Sequence, residues 1–415
     1  MYYLFSQLRP PTVRVAARIA SAQVHRGLLI SKLYYLLYYG AIGTITPFLN
    51  VYLEEKGLSG SQIGWISSIP PLIALFANPF WSALADRWRI HRTVLALLTL
   101  MAGLISLLFL TSVQFWPILG FIIAMTFFRN PVAPIIDSSA VSLVKQSQST
   151  YGRQRLWGSI GFAGVSYGMG YLLASYDMTV AFWSHALVMG LGCTLLGLLL
   201  PVETPHQRVN LLAGVRTLLG QRSYRGFLSS VILLGFAMAS YVTFLSLHMI
   251  NLGGTATQLG LMWVAMAGIE VPIMYFGARS IEKYGYRRIL QLCFIGFSLG
   301  WVAMAFVTSP IYLIFNVLLI GVFFSCYIVS VVNYADQTAP PGLSATAQAI
   351  IGAAQSGLGG SLGAVFAGYL WDVAGGSTLF LVAASAVAVA ALAFWWGNRE
   401  VQSAPVVIHA PVVSS

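Results

Sequence analysis

In the stretch GLMWVAMAGIEVPIMYFGA, residues 260–278, Glu270 is one carboxylate in an otherwise apolar run. Arg129 stands in a second apolar run, in TFFRNPV, and has the opposite sign. Each charge costs about 2.5 to 3.5 kcal/mol at the centre of a membrane helix, and more by some measures, so it needs a partner or a wet cavity. Counted along a helix rising 1.5 Å per residue, both fall near the middle of a hydrocarbon layer about 30 Å thick. The matched depth leads us to expect an Arg129–Glu270 contact. Burial favours the protonated carboxyl and a guanidinium favours the ionised one, so a carboxylate held between them can take up and release a proton. The alternative is a static bridge that only joins helices. Pro272 removes a backbone donor two residues on and loosens the helix there.

Lys32 lies about one and a half turns into the first apolar run, followed by Tyr35 and by Tyr38 or Tyr39 on its own helical face. It either snorkels to headgroups or lines an inner vestibule as a cation. Aromatic rings beside a cation suit an aromatic acid or a sugar. At the ends of the runs, Asp86 with Arg87 and Glu282 with Lys283 have the make-up of a gate, a carboxylate able to meet a cation or a helix N-terminus. Asp137 and Asp336 occupy corresponding places, with Arg153 and Arg155 as nearby cations. Simple solvation or helix capping is the plainer reading of these charges. Gly164 with Gly168 and Gly359 with Gly363 have the four-residue spacing of close helix packing. His185 and His248 are isolated and read as structural.

Other chemistries lack their residues. The sequence has no HExxH and no phosphate-binding GxxxxGK[ST] loop, and GSIG around Ser159 has the wrong order for a serine nucleophile. Cys193, Cys293 and Cys326 have no CxxC spacing. No cofactor or metal is expected, and the chain reads as no enzyme.

The elements that must position these residues are membrane helices. Of 415 residues 58% are hydrophobic and 8% charged, with a mean hydropathy of +0.80. A soluble protein carries about a quarter charged residues. Twelve apolar runs of spanning length begin near Gly27, Ser61, Thr93, Pro117, Leu156, Val180, Gly226, Ala256, Ile289, Ile311, Ala347 and Thr378. Nearly all of the 22 Lys and Arg fall in the tails and the even-numbered breaks. By the positive-inside rule those breaks and both termini are cytoplasmic. The net charge of +11 is therefore a topology signal, and its spread over many loops argues against nucleic acid. The expected organisation is a tail at 1–26, six helices in 27–200, a central loop at 201–225, six helices in 226–397 and a tail at 398–415.

The halves echo each other. SALADRWRIHR after the second run matches GARSIEKYGYRR after the eighth in the order acid, base, trailing base. Asp137 answers to Asp336, and GSIGFAGVSYGMGYL to GLGGSLGAVFAGYL. Such a repeat is common in transporters. With YYLLYYGAIGTITPFLNVYLEEKGLSGSQIGWISSIPPLI, NPFWSALADRW and YGRQRLWGSIGF, the chain resembles the major facilitator superfamily, in the subgroup of phenylpropionate permeases, nucleoside and oligosaccharide proton symporters and MFSD-type relatives. It departs from the superfamily's loop pattern at Ser82 and Arg89, where glycines are expected, while the second copy keeps Gly285.

The resemblance implies an all-α membrane protein of two six-helix bundles. It also implies secondary active transport of a small solute by alternating access, with proton symport. A carboxylate or aromatic acid, a sugar and a nucleoside are the candidate solutes, with protons and the lipid bilayer as further partners. A uniporter, an exporter or a non-transporting receptor are the competing readings. A monomer in the plasma membrane, the inner membrane of a bacterium, is expected.

Overall fold

The computed structural model describes residues 11–147, 149–201, 217–340 and 343–399, with side chains except those of 11–22, 271, 274–280, 282 and 344–345. All regular structure in the described residues is helical. The helices are α1 (Pro11–Ile45), α2 (Leu49–Glu55), α3 (Gly60–Trp88), α4 (His91–Leu108), α5 (Phe115–Arg129), α6 (Val132–Lys145), α7 (Tyr151–Leu172), α8 (Thr179–His185) and α9 (Thr194–Leu199). After residue 201 come α10 (Arg222–Asn251), α11 (Ala256–Tyr284), α12 (Tyr286–Ala305), α13 (Pro310–Thr338), α14 (Ser344–Gly352) and α15 (Ser361–Gly397). Two π-wound segments interrupt this order, Ala186–Cys193 between α8 and α9 and Ala353–Gly360 between α14 and α15.

Nine stretches of the described residues are long and apolar enough to cross a bilayer. Several contain the breaks that proline chemistry dictates. The first runs from Gln23 to Glu55 and is interrupted at Pro47, between α1 and α2. The fourth is interrupted at Pro131, between α5 and α6. Pro70, Pro71 and Pro79 are instead absorbed in an unbroken α3, as Pro272 is in α11. The stretch from Thr346 to Gly397 turns at Gly375, whose φ of 74° is open to glycine. α7 and α11, which carry Arg155 and Glu270, fall outside the nine.

Residues before and after the central break meet along two seams, α3 against α15 and α7 against α11. One apolar cluster stays within the N-terminal half and includes Tyr34, Trp81, Leu95, Ile136 and Met189. A second runs through both halves, joining Phe48, Ile63 and Phe182 to Phe244, Trp301 and Phe380. The core is thus continuous between the halves away from the basic loops, and the contacts that clamp both seams lie at that same end.

At the α3–α15 seam, Asp372 accepts hydrogen bonds from the backbone N–H of Gly60 (2.7 Å), that of Ser61 (2.8 Å) and the Ser61 hydroxyl (2.6 Å). A Cβ on Gly64 would strike the Ala364 carbonyl and the Gly368 backbone. At the α7–α11 seam a Cβ on Gly170 would come within 2.5 Å of the Ala256 carbonyl, and one on Gly260 within 2.7 Å of the Ser166 carbonyl. The Thr257 hydroxyl donates to the Gly170 carbonyl there at 3.4 Å.

The glycine expectation is corrected in part. Gly359 and Gly363 press on the Ile232 and Phe236 backbones of α10. Gly164 and Gly168 have open space where a side chain would project, and the close backbone contacts of α7 belong to Gly161, against Leu36 of α1, and to Gly170.

Candidate functional site

A cavity of about 340 Å³ lies between the halves. The broken helices shape it. The interruption at Pro47 turns Asn50 toward it, and Asn50 Nδ2 donates to the Thr243 carbonyl of α10 at 2.8 Å. The interruption at Pro131 leaves Arg129, the last residue of α5, half-buried in the wall, with its carbonyl accepting from the Tyr38 hydroxyl at 3.3 Å. Pro70 and Pro71 withdraw the helical donors from the carbonyls of Ile66 and Ser67, and all four residues line the cavity. The π-wound segment contributes Gln355, Ser356 and Gly360. Gln355 Oε1 accepts from the Tyr327 hydroxyl at 2.9 Å, which leaves its amide protons for the cavity. Trp263 anchors its indole N–H on Ser246 Oγ at 3.2 Å and lines the cavity with its ring. Arg129 is the one charged side chain among the described lining residues.

A smaller cavity of about 140 Å³ adjoins, with Trp263 bordering both. Glu270 of α11 lines it opposite Arg155 of α7. The Arg155 guanidinium lies 4.0 Å from the centre of the Tyr39 ring, a cation–π contact. Gly158 makes this possible, since a Cβ there would come within 2.7 Å of both the guanidinium and that ring. The expected Arg129–Glu270 contact is therefore corrected. The two residues line different cavities, and the cation that shares the Glu270 cavity is Arg155. Equal depth put Arg129 forward, but Arg129 shares its cavity with Trp263 of α11 and not with Glu270.

The remaining residues singled out in the sequence separate into groups. Tyr35 is fully buried and donates to Asp137 Oδ1 at 2.6 Å, and Tyr151 donates to the same oxygen at 3.0 Å. Asp137 is thus held by two phenols, not by Arg153 or Arg155. Tyr38 is buried edge-on to Tyr39. Neither Tyr35 nor Tyr38 lines the central cavity, whereas Lys32 and Arg153 line a separate one at the basic end. Asp86 is paired with His91, the first residue of α4, at 2.8 Å. Arg87 and Lys283 are exposed, as is Asp336. The Glu282 side chain lies outside the described residues.

The loop departure at Arg89 has a definite structure. Arg89 closes α3 in the left-handed conformation, with φ 54° and ψ 35°, the one positive-φ residue other than glycine among those described. Gly285 has φ 84° at the matching place after α11. Both places take a positive φ but differ in ψ, 35° at Arg89 against 137° at Gly285, so the two loops turn differently and only one carries the glycine.

Sequence reasoning missed Asn50, Trp263, Gln355 and Asp372. Asn50 and Gln355 were visible as amides in apolar surroundings. Another repeat was also readable: SGSQIG at 59–64 and TATQLG at 255–260 open α3 and α11 with the same reciprocal capping box. Their last glycines, Gly64 and Gly260, are the seam residues.

A cavity walled by helices of both halves, beneath an end where those halves are clamped together, defines a membrane transport protein. Comparison with known proteins agrees. Residues 28–382 match the MFS_1 like family, and the chain belongs to that family of major facilitator transporters. It is 30% identical over 347 residues to the maltose permease of Geobacillus stearothermophilus, covering 83% of this chain and 87% of that one. It is 27% identical over 365 residues to the probable 3-phenylpropionic acid transporter of Escherichia coli K12, covering 84% and 92%. The nucleoside transporter NupG shares the fold, with a TM-score of 0.77 at 17% identity over 91% of this chain and 99% of NupG.

Proposed function

We propose that this chain is a secondary active transporter that carries a small polar solute by alternating access, in symport with protons. The observation that supports it most directly is the adjoining pair of cavities, one built for a solute and one holding Glu270 opposite Arg155. Twelve crossings follow if α7 and α11 span the bilayer and the stretch Thr346–Gly397 is divided at Gly375. The halves 27–200 and 226–397 then act as two bundles. The basic loops assign their end to the cytoplasm. With both seams clamped at the other end, the conformation is one closed to the outside.

Glu270 and Arg155 sit on facing helices of different halves, so rocking changes their separation. Bringing the guanidinium closer favours the ionised carboxylate, and withdrawing it in an apolar wall favours the protonated form. Proton uptake is thereby tied to which end is open. In the solute cavity, amides from Asn50 and Gln355 and the Trp263 ring suit a sugar, the cargo named in the maltose permease. Arg129 favours a second candidate, an aromatic carboxylate.

Proteoliposomes with an imposed pH gradient test this, using labelled maltose and 3-phenylpropionate. Wild type is expected to concentrate one of them. Glu270→Gln is expected to lose gradient-driven accumulation while keeping exchange of labelled for unlabelled solute across the membrane. Accumulation by Glu270→Gln with unaltered pH dependence would rule out coupling through this carboxylate. Absence of both accumulation and exchange in wild type, for these and for nucleosides, would count against the transport reading itself.

A further inference from the structure

A third cavity, of about 830 Å³, opens at the basic end and shares no lining residue with the other two. α1 contributes His25, Arg26 and Lys32, the start of α7 contributes Arg153 and Gln154, and the link before α7 contributes Ser149. Positive charge at this end is expected from the topology rule, but that rule sets only how many basic residues a loop carries. It does not account for basic side chains from two helices converging on one concavity with no carboxylate among its described lining residues.

Gln154 supplies an independent observation. It is fully buried, its Nε2 is 3.1 Å from Ser149 Oγ, and its Oε1 has no partner. A serine hydroxyl can donate as well as accept, so the amide can equally turn over, accept from Ser149 and present its NH₂ group. In either orientation half of a buried amide is left for a ligand, and an unmet buried polar group costs about 1 to 3 kcal/mol.

We propose that this cavity binds a phosphate group, carried by a lipid headgroup or by a soluble phosphate ester, between Arg26 and Lys32 of α1 and Arg153 and Gln154 of α7. Guanidinium groups offer fork-shaped donors to phosphate oxygens, Lys32 adds a point charge, and the amide of Gln154 adds a neutral donor. Arg153 is two residues from Arg155, so an occupied site fixes the start of the helix whose next side chains face Glu270. The site therefore lies outside the solute path yet on an element that the transport cycle moves.

The test uses the purified full chain in phosphatidylcholine nanodiscs. Its thermal unfolding midpoint is followed against glycerol 3-phosphate in solution and against a rising fraction of phosphatidylglycerol in the disc. A ligand that binds only the folded state raises that midpoint in a saturable way. A saturable rise with glycerol 3-phosphate identifies a soluble ligand, and a rise with phosphatidylglycerol alone identifies a lipid. Either is expected to disappear in Lys32→Gln/Arg153→Gln and to persist in Arg87→Gln/Arg92→Gln, which removes the same charge from another loop at this end. Equal responses in the two double variants would mean diffuse attraction and would overturn the proposal, as would no saturable response in wild type. Gln154→Leu keeps every charge and answers the question should the first double variant fail to fold. Its half-saturation is expected to rise roughly tenfold or more, the usual cost of a lost hydrogen bond to a charged group, and unchanged binding there would also overturn the site.

Discussion

Gly158 decides where the Arg155 guanidinium can lie. With no Cβ, it leaves room for that group to rest on Tyr39, and from there it faces Glu270. Gly158→Val would fill the space, push the guanidinium off the ring and forfeit a cation–π contact worth about 0.5 to 2 kcal/mol. The expected outcome is a shifted pH profile of uptake with solute exchange retained, read in proteoliposomes; an unchanged profile would detach Arg155 from coupling. At this scale the sequence was only half legible. Glu270 stood out because a carboxylate in an apolar run needs a reason. Its partner did not, because position along a helix gives depth but not direction. Arg129 has the right depth, while Arg155, near the start of α7, lines the same cavity as Glu270 because α7 packs on α11. Tyr35 and Tyr38 were rightly placed on one helical face, but that face turns into the packing of the N-terminal half.

Helix ends carry more of the design than helix middles. Arg89 holds a left-handed turn that costs an ordinary side chain roughly 1 to 2 kcal/mol, while Gly285 at the matching place takes φ 84° with ψ 137°, a conformation open to glycine. Arg89→Gly should raise stability by up to about 1 kcal/mol, since glycine gives back part of the gain as lost chain freedom. A thermal melt checks this, and a clear loss of stability would mean that the Arg89 side chain has a role the backbone does not reveal. That both loops break at matching places could be anticipated from their acid–base spacing, and the capping boxes from Ser59 with Gln62 and Thr255 with Gln258. The π-wound segment that offers Gln355 could not. An extra residue in a helical turn is a response to packing from neighbouring helices and leaves no periodic trace. The glycine runs were ambiguous for a related reason: spacing identifies a common face, not the neighbour that it meets.

For the whole molecule, the clamped end consists of two seams that are alike in plan and unlike in chemistry. Gly64 against Gly368 has its counterpart in Gly260 against Gly170. Among the described residues only the α3–α15 seam adds a carboxylate, Asp372, accepting hydrogen bonds at the N-terminus of α3. Asp372→Asn keeps the shape but removes the charge, and hydrogen bonds to a charged group are worth about 1.5 to 3 kcal/mol each. The variant should populate the outward-open form more, seen as a longer distance between spin labels placed on α3 and α15; distances equal to wild type would show that the carboxylate does not hold this end shut.

The unequal seams also give the opening motion a direction. The α7–α11 seam parts by giving up glycine contacts, the edge-on Phe162–Trp263 contact and one long hydrogen bond, with no hydrogen-bonded charge to release among the described residues. The α3–α15 seam must release an exposed carboxylate from three hydrogen bonds at a helix terminus, so it yields later. In the proposed cycle the halves would then peel rather than separate evenly, with Asp372 as the last point of attachment and Glu270, on the seam that loosens first, as the first group to feel the change.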